Sequence, residues 1–200
     1  MLINPIGILV SPRKQWEAFA NTPANAFSGF LPYLLIMAAL PSAAWYYGTT
    51  QIGWQVGDGE ITHLTSNSAL WIATAMYIAV VLSIIAIGYS IHWMSETYGS
   101  AESSTMKGIA FASLTATPFF LLGLSGIYPL FWIDMILSLI GISWSTYLLY
   151  TGIPAAMKIP EERGFMYASA LLAVALVIFM VLLGATTILW DMGIIPVFAD

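Results

Sequence analysis

The sequence predicts an all-α integral membrane protein: five transmembrane helices preceded by a short interfacial amphipathic helix, N-terminus inside and C-terminus outside. Three observations carry this. Only 8% of the 200 residues are charged, 60% are hydrophobic, and the mean hydropathy is +0.86. A soluble domain carries about a quarter charged residues, so lipid has to act as the solvent here. The apolar residues fall into five runs, each reaching or approaching the roughly 17 residues that cross a bilayer as a helix. All five Lys and Arg residues lie before the first run or on alternate connections between runs.

Residues 1–26 read as a cytoplasmic interfacial segment, and 27–195 as the transmembrane domain. Asn4-Pro5 makes a turn, Ser11 is a candidate N-cap, and Pro12 takes the first helical position, where its missing N–H costs nothing. The helix that follows puts Trp16, Phe19 and Ala20 on one side, with Arg13, Lys14 and Glu17 mostly elsewhere. Two cations in a first turn oppose the helix dipole. They suit a membrane surface better, with Arg13 and Lys14 among anionic headgroups and Trp16 and Phe19 dipping into the interface. A solvated helix is the simpler alternative. The first ten residues have neither a basic leader nor a small-residue cleavage site after them, so no signal peptide is expected.

The spans cover 27–47, 69–93, 108–124, 131–150 and 165–189. Pro41 sits deep in the first and Pro118 in the third, while Gly152 and Pro154 close the fourth; these are candidate helix breaks. Gly123, Gly126, Ser138 and Gly141 are small enough to let the third and fourth spans approach closely. Arg13 and Lys14 precede the first span, Lys107 lies between the second and third, and Lys158 and Arg163 lie between the fourth and fifth. The other connections and the tail carry no cation, so the basic end is the cytoplasmic one. Period-2 alternation is absent, which argues against a barrel. No internal repeat is visible, which weakens an inverted-repeat transporter unless a homodimer supplies the second half.

The chemistry is sparse. A net charge of −5 with five cations excludes a nucleic-acid footprint, and the absence of cysteine removes disulfides, thiolate metal sites and thiol nucleophiles. No phosphate-binding loop, nucleophile elbow or zinc-protease helix is present, so neither enzymatic activity nor a cofactor or metal is expected. His63 and His92 fall on opposite sides of the membrane, roughly 30 Å apart. Asp58, Glu60 and His63 lack ligand spacing and read as a solvated loop. Asp134 is the one carboxylate well inside a run. It is either a structural group at the outer start of its helix, where the dipole favours an anion, or an ion-handling group with Ser138 and Thr117 beside the Pro118 break.

Three stretches carry a family likeness: Asn4-Pro5 to Pro12-x-x-x-Trp16, then Thr115-Ala116-Thr117-Pro118-Phe119, then Tyr147 to Pro154 with Ile159-Pro160-Glu161-Glu162 beyond. Together they resemble the short bacterial inner-membrane branch of the Yip family (Ypt-interacting proteins). The resemblance implies five helices with a cytoplasmic N-terminus. It implies no defined activity, because the bacterial branch has none assigned. Eukaryotic members are trafficking factors that associate with prenylated small GTPases and with one another. This chain lacks their long cytoplasmic N-terminal region, which argues against GTPase binding. The expected role is therefore a non-enzymatic membrane-organising or partner-binding scaffold, with the bilayer and its anionic inner-face headgroups as partners and a homo-oligomer as a further possibility. The alternative is a small ion or solute channel or transporter using Asp134.

Overall fold

In hydrocarbon every backbone polar group must be paired within the protein, so an apolar run that enters a bilayer is committed to helix. The computed structural model describes residues 4–55, 59–100, 103–193 and 195–199 and bears this out across the chain. Two short helices, α1 (Gly7–Val10) and α2 (Pro12–Ala20), lead into a 3₁₀ turn and α3 (Phe30–Tyr47). Then come α4 (Ser66–Ser95), α5 (Thr105–Thr115), α6 (Thr117–Leu122), α7 (Phe131–Met157) and α8 (Glu161–Asp191). Four helical segments are long and apolar enough to cross a membrane. A fifth crossing arises if Thr105–Thr115 and Thr117–Ile127, bent by 45° at their junction, count as one.

That bend has a local cause. Pro118 stands in the first turn of α6 and cannot donate the amide that would continue α5. Beside it the Thr117 hydroxyl donates to the Ser113 carbonyl at 3.4 Å and pairs with the Tyr33 hydroxyl at 2.7 Å. The other candidate breaks need correction. α3 runs through Pro41, and α7 continues through Gly152 and Pro154 to Met157, ending where Lys158 turns left-handed at φ 54°. These residues serve contacts instead. A Cβ on Gly152 would lie 2.6 Å from the Trp16 ring, one on Gly164 would lie 2.4 Å from Pro154, and one on Gly123 would lie 2.7 Å from Pro41.

Gly123 and Gly126 do not bring the third and fourth spans together as expected. They face Pro41 and Trp45 of α3. Gly141 does approach Leu122 and Phe119, whereas Ser138 is exposed. One close helix pair was not anticipated: α4 and α5 meet at Gly88 and Gly108, where a Cβ on Gly108 would lie 2.1 Å from the Gly88 carbonyl oxygen.

The two ends of the bundle differ. At one, β1 (His63–Leu64) pairs antiparallel with β2 (Phe198–Ala199), and Trp54 bridges to Thr62. Thr65 donates its amide to the Val197 carbonyl at 3.0 Å, so the connection after α3, the start of α4 and the C-terminal tail are tied together. At the other end, Ser100 donates to the Met157 carbonyl at 3.2 Å, joining the α4–α5 and α7–α8 connections. The hydrophobic cluster of buried residues includes Trp16, Phe19, Phe111, Ile153 and Tyr167 and lies toward this second end.

Candidate functional site

α2 reaches the bundle with its aromatic face inward. Trp16 and Phe19 are both 0% exposed, which corrects the expectation that they dip into the membrane surface. Helix spacing set them on one face, and the receiving groove is made of Phe111 on α5 and the bare backbone of Gly152 on α7. The Trp16 and Phe111 ring centroids are 4.7 Å apart, and Phe19 stands edge-on to Trp16 at 5.9 Å and 81°. Phe19 also meets Phe27 at 4.9 Å. Such pairs contribute about 0.5–1.5 kcal/mol each beyond the area they bury. Arg13, Lys14 and Glu17, on the other side of α2, are exposed as expected for a polar face.

All five cations gather at this end. Arg13 and Lys14 lie on α2, Lys107 is in the first turn of α5, and Lys158 follows α7. A guanidinium nitrogen of Arg163 would be 2.7 Å from a Cβ on Gly99, so Arg163 lies over the turn after α4.

The three candidate polar residues do not line a common cavity. Thr117 is buried at the bend and engaged with Tyr33 and Ser113. Ser138 is exposed on α7, one turn beyond Asp134. Asp134 lies in the first turn of α7 and is 9% exposed, and neither carboxylate oxygen has a hydrogen-bond partner among the described residues. A cavity of about 220 Å³ does lie at the bend, between Ile84, Phe111, Ala116, Ile142 and Leu172. Its walls are mostly aliphatic or aromatic. Thr115 and Thr146 each turn their hydroxyls back to their own helix, both at 2.8 Å, and none of Asp134, Ser138 or Thr117 lines it.

Sequence reasoning missed a second polar fastening. The Tyr167 hydroxyl of α8 donates to the Ile91 carbonyl of α4, and its ring stacks on Tyr98 with centroids 4.7 Å apart and planes 5° apart. A tyrosine two residues into an apolar run was the available signal. His63 and His92 sit at opposite ends of α4 and the strand before it, and no group of three metal-ligating side chains occurs among the described residues. Asp58 lies outside the described residues.

Comparison with known proteins adds the following. The family model for the Yip1 domain matches residues 6–182. The chain is 33% identical over 187 residues to "Inner membrane protein YohC" of Escherichia coli strain K12, an alignment covering 94% of this chain and 95% of that protein. The protein of the same name from E. coli O6:H1 strain CFT073 matches with the same identity and coverage. No solved structure matches.

Proposed function

This chain belongs to the Yip1 domain family, and on that premise we propose that it is a non-enzymatic scaffold of a bacterial inner membrane. It crosses five times, with the basic end cytoplasmic and the tail outside, and acts by binding partners or further copies of itself. Two ties support five crossings. If the bent segment 105–127 did not cross, the connection after α3 and the tail would emerge on opposite sides, yet β1 and β2 pair. The Ser100–Met157 bond makes the same demand at the other end. The gathering of all five cations at one end supports its cytoplasmic assignment.

The observation that carries the scaffold reading over a transport reading is that none of Asp134, Ser138 and Thr117 lines the cavity at the bend. A pathway needs polar groups converging on a hydrated space, whereas here the cavity at the bend is lined mostly by apolar side chains, with Ser145 the one hydroxyl in its wall that has no partner among the described residues. One observation favours the second reading of a small channel or transporter, namely the buried Asp134 carboxylate without a partner. The test is ion flux in proteoliposomes across a panel of monovalent and divalent ions, wild type against Asp134→Asn. The scaffold reading expects no selective flux above protein-free vesicles. Selective flux abolished by Asp134→Asn would replace it with the pathway reading.

A further inference from the structure

We propose that the cavity at the bend binds a neutral, membrane-dissolved lipid with a ring carbonyl, the class to which isoprenoid quinones belong, and that the Ser145 hydroxyl is its hydrogen-bond donor. This goes beyond the scaffold reading and does not depend on it. The cavity measures about 220 Å³, and each of α4 to α8 contributes to its wall, Ile87 and Ala112 from the first two and Phe119, Ser145 and Leu172 from the others. It lies where α8 leaves the bundle, because Leu171 in the wall is the last buried residue of that helix. Phe119 and Ile142, also in the wall, are exposed, and in a bilayer that exposure faces acyl chains. A molecule dissolved in lipid can therefore enter sideways, without passing a headgroup layer.

The cavity does not suit water. A buried water needs about two to four polar partners, and the hydroxyls of Thr115 and Thr146 are already committed to the Phe111 and Ile142 carbonyls, both at 2.8 Å. An apolar cavity of roughly 150 Å³ in a soluble protein stays dry and takes up benzene. This one is larger and has room for a substituted six-membered ring.

Ser145 adds a polar requirement to that apolar space. Hydroxyls in these helices commonly donate one turn back, as Ser83 does to Ala79 and Ser113 to Ile109, both at 2.7 Å. Ser145 departs from this: its hydroxyl is buried and has no partner among the described residues. In hydrocarbon no water relieves such a group, and a carbonyl oxygen in the cavity does. Depth then narrows the class. Ser145 is the fifteenth of the 27 residues of α7, close to its middle. The ester carbonyls of a phospholipid stay at the edge of the hydrocarbon core, roughly 15 Å from its middle, far beyond hydrogen-bond reach. No charged residue lines the cavity, so an ionised fatty acid has no counter-charge there. A quinone ring is neutral, has apolar faces, carries carbonyl acceptors and is free to reach the middle of the bilayer.

The test is native mass spectrometry and thermal melting of the full chain released from detergent. The probe is a decyl-substituted benzoquinone, and the control is decylbenzene, which has the same tail on a ring without carbonyls. The chain has no cysteine, so the quinone cannot be captured as a thioether. One saturable quinone adduct per chain is expected, with a rise in melting temperature. Ser145→Ala should weaken it about three- to tenfold, the loss of one neutral hydrogen bond, and leave decylbenzene binding unchanged. That substitution removes an unpaired hydroxyl, so it should hold or raise the melting temperature of the ligand-free protein, and a weaker adduct is then not a folding defect. Ala175→Leu, which fills the cavity, should abolish binding of both compounds. The proposal is overturned if no saturable quinone adduct forms, or if Ala175→Leu melts cooperatively and still binds the quinone. It is also overturned if decylbenzene binds equally and Ser145→Ala changes neither, which would make the cavity a slot for acyl chains. Ion flux enters none of these outcomes, so the scaffold reading and the carbonyl-lipid site can fail separately.

Discussion

The first third of α8 and its remainder are held by different surroundings. Gly164, Tyr167, Ala168 and Leu171 are the buried residues of this helix, and all fall in its first eleven positions. Beyond them Leu176, Phe179, Leu183 and Ile188 are exposed. α7 repeats the contrast from the opposite direction, with Phe131, Trp132, Ile136 and Leu139 exposed in its first half and Leu148, Ile153 and Met157 buried in its second. The lesson concerns what holds helices together in lipid. An apolar side chain gains little by leaving acyl chains for protein, so hydrophobicity alone does not pack these helices. At the basic end other contacts are available: backbone approach at Gly88 and Gly108, the Tyr167 hydrogen bond to α4, and an N-terminal helix whose aromatic face is buried against Phe111 and Gly152. At the far ends of α7 and α8 those devices are sparse, and lipid is the neighbour.

The sharpest way to break this contrast is to empty the α2 dock. Trp16→Ala should destabilise the solubilised protein by about 3–5 kcal/mol, as for other fully buried large aromatics, with a matching fall in melting temperature. A loss under about 0.5 kcal/mol would mean that α2 is only loosely seated. Next in size is a pair of identical changes at two sites. Gly88→Ala puts a Cβ 2.6 Å from the Ile109 backbone, which has no flexible end to yield, and should cost about 1–3 kcal/mol. Gly184→Ala meets nothing within 4 Å and should stabilise α8 by up to about 1 kcal/mol through helix propensity. Opposite signs in thermal melts sharpen the comparison, and equal signs remove it. The smallest effect belongs to the lipid-facing half: Leu183→Ala should shift stability by about 0.5 kcal/mol or less.

Much of the architecture was legible in hydropathy, because a run that must cross a bilayer has no other secondary structure open to it. The bend at Thr117-Pro118 was legible for the same reason that it exists, a missing amide. The seating of Trp16 and Phe19 was not. One amphipathic pattern serves both a membrane surface and a protein groove, and the groove depends on Gly152, more than a hundred residues away. Gly152 and Pro154 read as a break because their intrinsic preferences oppose helix, and only the rings of Trp16 and Phe111 and the approach of Gly164 reveal why they stand there. The pairing of His63–Leu64 with Phe198–Ala199 had no sequence signal, since a two-residue strand carries no periodicity. At the candidate polar site, Asp134 stood out correctly as a buried carboxylate, but which face of α7 packs against the bend, and so whether Asp134 and Ser138 share a space with Thr117, is not encoded in composition.

The most direct test of the account is which end faces which compartment. The chain has no cysteine, so single cysteines at exposed positions report without background. Gln55→Cys and Val197→Cys mark the end with the paired strands, and Glu17→Cys and Lys158→Cys mark the basic end. With an impermeant maleimide on intact spheroplasts, the first two should react, and the second two should react only after permeabilisation. Labelling of Glu17→Cys on intact cells, or a split between Gln55→Cys and Val197→Cys, would contradict the five-crossing arrangement with a cytoplasmic basic end.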